Sequence, residues 1–393
     1  MRERIAGIDG MFAENVTRLV GAPAGTAVVP AASPADAFRL MGMLFSIDAK
    51  RKPLRVLVPT IGEIASAVPS GMEARYVEPG PRHGQVALEA NIEVTQIPMR
   101  GRGGEVIDDT ELAQSFGEYS RKTDSLPLVY SSLGDATGLV GPRASGALAL
   151  DASQMRLRPD RIGLHLSCGM PMVIAGSTFL GGPAESGALL VPPDRFPAEV
   201  LREARRRWRA DTRPDWDGRL GPNRALRSLL RWLPALENLR QMVALGPRAD
   251  TLVARMTMEL TAFLGRFPDF HVFPGRDVHQ VATCGREAGM AAFAVRDRKR
   301  PDRWLPMPEL IALYHRLADA GVLIGHPVPV GARGALRLAI GAEDVIRGDI
   351  RGSLHHLEEA FKGLGFPLGP MRSEAESAPR GRQSATPHAR CWN

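Results

Sequence analysis

A chain of 393 residues is longer than one ordinary hydrophobic core requires, so two domains, or one large domain with an appendage, are expected. Hydrophobic residues make up 44% of it, which is enough for a packed interior, but no apolar run has the length of a membrane span and the first residues lack the apolar core of a signal peptide. We therefore expect a cytoplasmic protein that does not associate with membranes. Its three widely spaced cysteines fit neither a disulfide framework nor a zinc site, and no metal site is expected.

The formal net charge of +7 includes a basic cluster between Arg202 and Trp232, in which tryptophans are interleaved. Such a stretch can hold nucleic acid through phosphate contacts and base stacking. Acidic residues are mixed into it, however, and no nucleic-acid-binding motif accompanies it, so we expect no nucleic-acid partner. The preferred interpretation is a solvated helix face that forms a domain or subunit contact.

Five apolar, β-branched runs in the N-terminal half predict buried strands, each followed by a turn and usually by a helical pattern. These runs are Thr26–Pro30, Arg55–Pro59, Ile92–Ile97, Pro127–Ser131 and Gly146–Leu150. The alternation predicts an α/β fold, with a mainly parallel sheet, flanking helices and right-handed crossovers. Ligands bind such sheets at the carboxyl ends of the strands, so functional residues are expected just after each run.

The second half has a different hydrophobic pattern, with two long stretches of helical periodicity at 226–245 and 251–267. Strand patterns then return at His271–Phe273, Met290–Val295 and Ala335–Ile340, with a helix between the last two that begins near Pro308 and ends before Gly321. We assign residues 1–235 to a large α/β domain and 236–368 to a smaller α+β domain. Residues 369–393 are polar and lack periodicity, which predicts a disordered tail.

Three short stretches contain candidate site residues. ALALDASQ ends a predicted strand with Asp151 and places Gln154 three residues later; the alternative role for Asp151 is to cap the next turn. AGSTFLGGP carries the pair Ser177 and Thr178 before a glycine turn. GALRLAIGA contains Arg337, whose guanidinium can meet a carboxylate with two parallel N–H donors, although an exposed strand arginine explains it equally well.

Together these stretches resemble the fold-type I pyridoxal-phosphate (PLP) superfamily, and within it the class V aminotransferases, cysteine desulfurases and kynureninases. The resemblance runs from roughly Ile5 to Leu368. It implies that Asp151 lies against the pyridine nitrogen of PLP, where a carboxylate keeps the ring protonated and makes it a better electron sink. It also implies that Gln154 lies near the phenolic oxygen, and that Arg337 receives the α-carboxylate of an amino or keto acid.

The chain departs from this family at the Schiff-base lysine, because Thr178 stands at that position with Ser177 before it. A hydroxyl cannot form an imine, and the substitution also removes the base expected to move the α-proton. None of the five lysines of the chain lies in a matching loop: Lys50, Lys52, Lys122, Lys299 and Lys362.

The phosphate-binding loop departs as well. Family members follow the first strand with a Ser-Gly-Thr-type loop that opens a helix, whose N–H groups hold the phosphate. Here the loop has Ser33, Pro34 and Ala35, so one backbone donor and one hydroxyl are missing. The preferred interpretation is an ordinary helix start, with Ser33 as the cap and Pro34 in the first turn.

Two further loops are similar to family loops but less specific. Glu63 and Ser66 stand where the family has a side chain that covers the cofactor ring, and no aromatic or histidine is present there to stack. Asp135 and Thr137 lie in a loop similar to one with a Thr-Gly signature beside the family's active site, although the loop taken alone is an ordinary glycine-rich turn.

We therefore predict a class V aminotransferase-like protein that cannot form the lysine Schiff base and serves as a scaffold, a regulator or a partner subunit. The alternative, favoured by Asp151 and Gln154, is an active aminotransferase- or lyase-type enzyme that uses untethered PLP or pyridoxamine phosphate. An unrelated α/β protein is a third interpretation, but the phosphate-loop signatures of nucleotide binding are absent. Any PLP is expected to bind non-covalently and weakly.

The resemblance also predicts a homodimer. Active sites in this superfamily lie between two subunits, and the segment from Arg205 to Trp232 carries the tryptophan and arginine residues that interfaces favour.

Overall fold

The computed structural model describes residues 2–31, 33–49, 54–59, 92–97, 100–107, 126–132, 147–183, 186–211, 224–273 and 289–369, together with three helical positions between 111 and 118. Glu63, Ser66, Asp135 and Thr137 lie outside these ranges, as does the predicted tail from residue 370 onward. Within the described ranges, no helix is both long and apolar enough to cross a membrane, and no group of three metal-ligating side chains occurs.

The larger sheet is formed by seven strands in the spatial order β1-β7-β6-β5-β4-β2-β3. In chain order they are β1 (Ala27–Ala31), β2 (Leu54–Pro59), β3 (Ile92–Ile97), β4 (Leu126–Ser132), β5 (Ala147–Ala152), β6 (Met172–Ala175) and β7 (Gly187–Val191). The four pairings from β3 across to β6 are parallel, whereas β7 is antiparallel to both of its neighbours. The mainly parallel sheet is therefore confirmed.

Helices cover both faces of this sheet, which explains why its central strands are apolar without alternation. The helices are α1 (Arg2–Val20), α2 (Pro34–Asp48), α3 (Pro159–Ser167), α4 (Ala198–Asp211) and α5 (Arg224–Leu245). One face of the sheet packs against α1, α3 and α5, through residues such as Phe12, Ile162 and Trp232. The other face packs against α2 and α4, through Phe38 and Val200 among others.

The smaller sheet is antiparallel and has the order β10-β11-β9-β8. Its strands are β8 (Phe270–Val272), β9 (Met290–Val295), β10 (Gly325–Val330) and β11 (Arg333–Ala339), and the accompanying helices are α6 (Pro247–Gly265), α7 (Met307–Asp319), α8 (Ala342–Arg347) and α9 (Arg351–Gly363). The expected α+β unit is thus confirmed. The boundary at residue 235 stays a prediction, and α5 runs continuously through it.

The two faces of β11 have different neighbours. Leu336 and Leu338 join the cluster of buried residues that also contains the core between α1, α5 and β5–β7, so one apolar core links both sheets. Ala335, on the opposite face, packs with Phe273 and Val330. A loop from the larger unit covers this second face, because Gly104 contacts the ring of Phe273.

The expectation that Trp232 offers interface surface is wrong. Its side chain is fully buried, its ring centroid lies 5.8 Å from that of Phe12, and its Nε1–H donates to the carbonyl of Gly187 at 3.3 Å. A large aromatic in the middle of an amphipathic helix reaches the core when it falls on the apolar stripe, and Trp232 does so here. The side chains of Trp208 and Trp216 lie outside the described residues.

Candidate functional site

The candidate site lies at one edge of the larger sheet. Strands β1, β4, β5 and β6 all run in the same direction, so their carboxyl ends meet at this edge, and β7 begins there. Ala31 and Ala175 both pair with Gly187 in register. The loops that follow β1, β5 and β6 therefore emerge side by side, which brings Ser33, Asp151 and Ser177 to the same edge.

Asp151 is the penultimate residue of β5 and is only 3% exposed. Its Oδ1 accepts a hydrogen bond from the backbone N–H of Ser153 at 2.9 Å, which is the turn-capping contact of the alternative interpretation. Burial raises the pKa of Asp151 above its ordinary value, although the hydrogen bonds from Ser153 oppose that shift. A buried carboxylate of this kind gains from a cationic or protonated partner.

The loop after Asp151 contains a second buried polar group. Gln154 is 6% exposed, and its Oε1 has no hydrogen-bond partner among the described residues. The next residue, Met155, has a φ of 51°, a left-handed conformation that costs a residue with a Cβ about 1 kcal/mol. An unsatisfied amide oxygen and local strain beside a buried acid are features that bound ligands often explain.

Arg156, which the sequence analysis missed, lies deeper in the same loop and is 1% exposed. Its Nη2 donates to the carbonyl of Ile340 at 3.1 Å, and its guanidinium carbon lies 4.9 Å from the ring centroid of Phe179. Nε and Nη1 have no partner among the described residues, and burial lowers the pKa of Arg156 to about 10. In a chain so rich in arginine, nothing in the sequence distinguishes this one.

The loop that carries Thr178 is held rigidly at its base. The N–H of Gly182 donates to the carbonyl of Gly176 at 2.8 Å and closes the loop. A Cβ at Gly176 would collide with Ala235, because α5 packs directly on the backbone here. Glycine is therefore required at this close approach.

Two further contacts fix the tip of this loop. Asn238 on α5 donates its side-chain N–H to the carbonyl of Leu180 at 2.8 Å, and the N–H of Ala342, at the start of α8, donates to the carbonyl of Phe179 at 2.8 Å. Phe179 and Leu180 are buried, whereas Ser177 is half-buried and Thr178 is exposed. The loop thus presents Thr178 outward on a support provided by both units of the fold.

Ser33 caps α2, as the preferred interpretation predicts. Its Oγ accepts the N–H of Asp36 at 3.2 Å and donates to Oδ2 of Asp36 at 2.8 Å, and Pro34 stands in the first turn. The first turn of α2 therefore already holds a carboxylate, which is the charge that a helix N-terminus stabilises. An incoming phosphate would have to compete with Asp36 for the same positive end.

Arg337 lies in the middle of β11, on the face shared with Ala335. Its Nε donates to the carbonyl of His326 at 2.9 Å, and its side chain crosses the position of Gly325 on the neighbouring strand. Ile340, three residues further on, accepts the hydrogen bond from Arg156. The strand that carries Arg337 thus ends against the loop of the candidate site, although Arg337 itself contacts β10.

These residues fit PLP at one end and oppose it at the other. Buried Asp151 and unsatisfied Gln154 suit a planar heterocycle with a protonated nitrogen. The N-terminus of α2 does not suit a phosphate, since Asp36 occupies its first turn and Pro34 supplies no N–H. No reaction step follows from this arrangement.

Comparison with known proteins adds evidence at the level of the fold. No family model and no curated protein matches the chain. Among solved structures, Oryza sativa TDC with PLP and tryptamine aligns with a TM-score of 0.56 and 13% identity, over 92% of this chain and 76% of that one.

Two other solved structures align with similar scores. Ureidoglycine-glyoxylate aminotransferase from Bacillus subtilis has a TM-score of 0.54 and 14% identity, with 92% and 87% coverage of this chain and that one. A cysteine desulfurase from Escherichia coli has a TM-score of 0.54 and 12% identity, with 92% and 85% coverage. The fold implied by the resemblance to the PLP superfamily is thus confirmed.

Proposed function

We propose that this chain is a class V aminotransferase-like protein of the PLP-dependent superfamily that does not form the lysine Schiff base and acts as a scaffold or a regulatory subunit. The observation that carries the proposal is the loop of Ser177 and Thr178. Its base is closed by Gly176 and Gly182 and packed under α5, and its tip exposes Thr178, which the family resemblance aligns with the lysine. A threonine there supplies neither an imine-forming amine nor a strong base.

The remaining residues of the site support ligand binding without catalysis. Asp151 and Gln154 offer a buried acid and an unsatisfied amide to a ring, and PLP, when bound, supplies an electron sink. Arg337, on the strand that ends at the site, offers a guanidinium that can bind the carboxylate of a ligand. Asp36 weakens any phosphate contact at α2, so we expect non-covalent and weak binding of PLP.

The decisive experiment restores the amine. Thr178→Lys, incubated with PLP and then with borohydride, should gain a reduced adduct that peptide mapping places at residue 178, whereas the natural protein should give none. The exposed tip of the loop has room for the longer side chain, so overpacking strain is expected to stay within about 1–3 kcal/mol. Thr251→Lys, at an exposed threonine on α6, is the matched control for non-specific labelling of a new surface lysine.

The outcomes of this experiment are distinct. Reduction of the natural protein at one of its own lysines, at a stoichiometry near one, would show a working Schiff-base enzyme and refute the proposal. Equal labelling of Thr178→Lys and Thr251→Lys would show that the loop does not face a cofactor. Catalytic activity of the natural protein with untethered PLP or pyridoxamine phosphate would establish the alternative function instead.

A further inference from the structure

A groove of about 550 Å³ opens on the smaller unit, between the turn 303–307 that leads into α7 and the tip of the β10–β11 hairpin. Its walls include Trp304, Pro306, Met307 and Pro329, and two arginines, Arg303 and Arg333, line it. None of these residues belongs to the site around Asp151. The groove combines apolar walls with a concentration of positive charge.

The positive charge is organised around Trp304. The guanidinium carbons of Arg296 and Arg333 lie 4.5 Å and 4.8 Å from its ring centroid, within the range of cation–π attraction. Arg296 is anchored further by a hydrogen bond from its Nη1 to the carbonyl of Pro301 at 2.7 Å. Stacking fixes these side chains in place, so less conformational entropy is lost when they bind an anion.

Carboxylate partners are missing here, although they are common elsewhere in this unit. Within the described residues, several arginines of this unit form ion pairs with acids, among them Arg266 with Glu358, Arg300 with Asp297, Arg347 with Glu343 and Arg351 with Asp349. In the same part of the chain, no ion pair involves Arg296, Arg303 or Arg333. Among the described residues, the charge at the groove therefore has no carboxylate counterion.

Neighbouring titratable residues are consistent with an excess of positive charge at the groove. Burial, and then the charges of Arg333 and Arg296, lower the pKa of His271, whose ring centroid lies 5.5 Å from that of Trp304. The acidic neighbours in the chain, Asp302 and Glu309, do not line the groove. A bound anion would supply the missing counter-charge.

We propose that this groove binds an organic phosphate, meaning a phosphate monoester with an apolar or aromatic body of about nucleotide size. The forks of Arg303 and Arg333 match phosphate oxygens with paired N–H donors. Pro306, Met307 and Pro329 provide the apolar wall for the body of the ligand, and the groove volume lies within the range of small-molecule sites. This proposal does not depend on the function assigned to the site around Asp151.

The test is calorimetric titration of the full chain at low salt with adenosine monophosphate, adenosine and inorganic phosphate. Adenosine monophosphate should bind, and adenosine and inorganic phosphate should each bind at least about tenfold more weakly, because each lacks one half of the recognition. Arg303→Gln combined with Arg333→Gln should reduce the affinity for adenosine monophosphate by at least about tenfold. The matched control combines Arg347→Gln with Arg351→Gln and removes the same charge from exposed positions on α8 and α9.

Each result decides the matter. An equal loss in both double variants would show general electrostatic attraction and overturn the proposal. If adenosine binds as tightly as adenosine monophosphate, the arginines do not contribute to binding and the proposal fails. If inorganic phosphate binds as tightly as adenosine monophosphate, the apolar wall does not contribute and the proposal fails as well. Absence of adenosine monophosphate binding at millimolar concentration would also overturn it, whereas Thr178→Lys, which leaves the groove intact, should bind like the natural protein.

Discussion

The guanidinium of Arg156 is a buried cation without a carboxylate partner among the described residues. Burial lowers its pKa from the ordinary arginine value to about 10, which corresponds to roughly 3 kcal/mol of destabilisation of the charged form at neutral pH. One hydrogen bond to Ile340 and the face of Phe179 offset part of this cost. Because Arg156 lowers stability yet contacts both Ile340 and Phe179, we infer that its role is to position the loops of the candidate site.

Arg156→Met should therefore raise the free energy of unfolding by about 1–2 kcal/mol, since replacing a buried charge by an apolar side chain of similar length is often stabilising. Urea unfolding at pH 7 measures this directly. The penalty is fully present below the folded pKa of about 10 and disappears as pH rises towards the higher pKa of the unfolded chain. The difference in stability between the two proteins should therefore narrow above pH 10.

The control for this change is Arg347→Met, at a side chain that is 66% exposed, where a change of no more than about 0.5 kcal/mol is expected. A loss of more than about 1 kcal/mol in Arg156→Met would contradict the argument. It would mean that the contacts with Ile340 and Phe179 outweigh the cost of burying the charge.

At the scale of elements, the N-terminus of α2 determines how strongly the site can bind a phosphate group. The backbone N–H of Asp36 donates to Ser33, and its carboxylate accepts from the Ser33 hydroxyl and places negative charge at the helix N-terminus. The backbone of Ser33 and Pro34 also runs directly over Gly187, so this turn is fixed against the first residue of β7. The loop is built as a helix cap.

Asp36→Asn should increase the affinity for PLP by about three- to tenfold, because removal of one negative charge near a helix N-terminus favours an anion by roughly 0.7–1.4 kcal/mol. Spectroscopic titration with PLP measures the change. Glu199→Gln, in the first turn of α4, removes a comparable charge and should leave the affinity unchanged. An unchanged or lower affinity in Asp36→Asn would show that phosphate does not approach α2.

The elements were predictable where the signal is local. The strands Ile92–Ile97 and Met290–Val295 agree with their predicted bounds, because the first contains β-branched residues between polar ones and the second is an uninterrupted apolar run. Helix α7 ends two residues before Gly321, whose φ of 79° suits a helix C-terminus. Helix α1 and the short strand β6 were not predicted, since α1 is rich in polar residues and β6 has only four residues.

Other features depend on distant parts of the chain and could not be read from the sequence. The antiparallel pairing of β7 with β1 joins segments far apart in sequence. The burial of Arg156 is set by Ile340, 184 residues away. Asp151 was predictable because it ends a buried strand, but the unsatisfied oxygen of Gln154 emerges only when its neighbours are in place.

At the scale of the whole molecule, the contacts that hold the loop of Thr178 do not involve the Thr178 side chain itself. A single apolar core joins both sheets, and the loop of Thr178 is supported by α5 on one side and by α8 on the other. The buried anchors of the loop are Phe179 and Leu180, so its position does not depend on which side chain stands at residue 178. A change of side chain at residue 178 should therefore leave the fold of the loop intact.

The predicted homodimer can be tested on the surface that α1 and α5 share. These helices pack together through Phe12 and Trp232. Three nearby apolar side chains are largely exposed: Met11 at 58%, Leu230 at 54% and Leu233 at 48%. Large apolar side chains grouped on neighbouring helices are typical of subunit interfaces. Light scattering at micromolar concentration should give twice the mass of one chain for the natural protein.

Leu230→Glu combined with Leu233→Glu should give the mass of one chain, because burying two unpaired carboxylates in the interface would cost several kcal/mol. The control is Leu323→Glu, at a leucine after α7 that is 85% exposed, and it should remain dimeric. Circular dichroism of each variant separates dissociation from unfolding. A natural protein that is monomeric at this concentration would refute the dimer, and a double variant that stays dimeric while folded would place the interface on another surface.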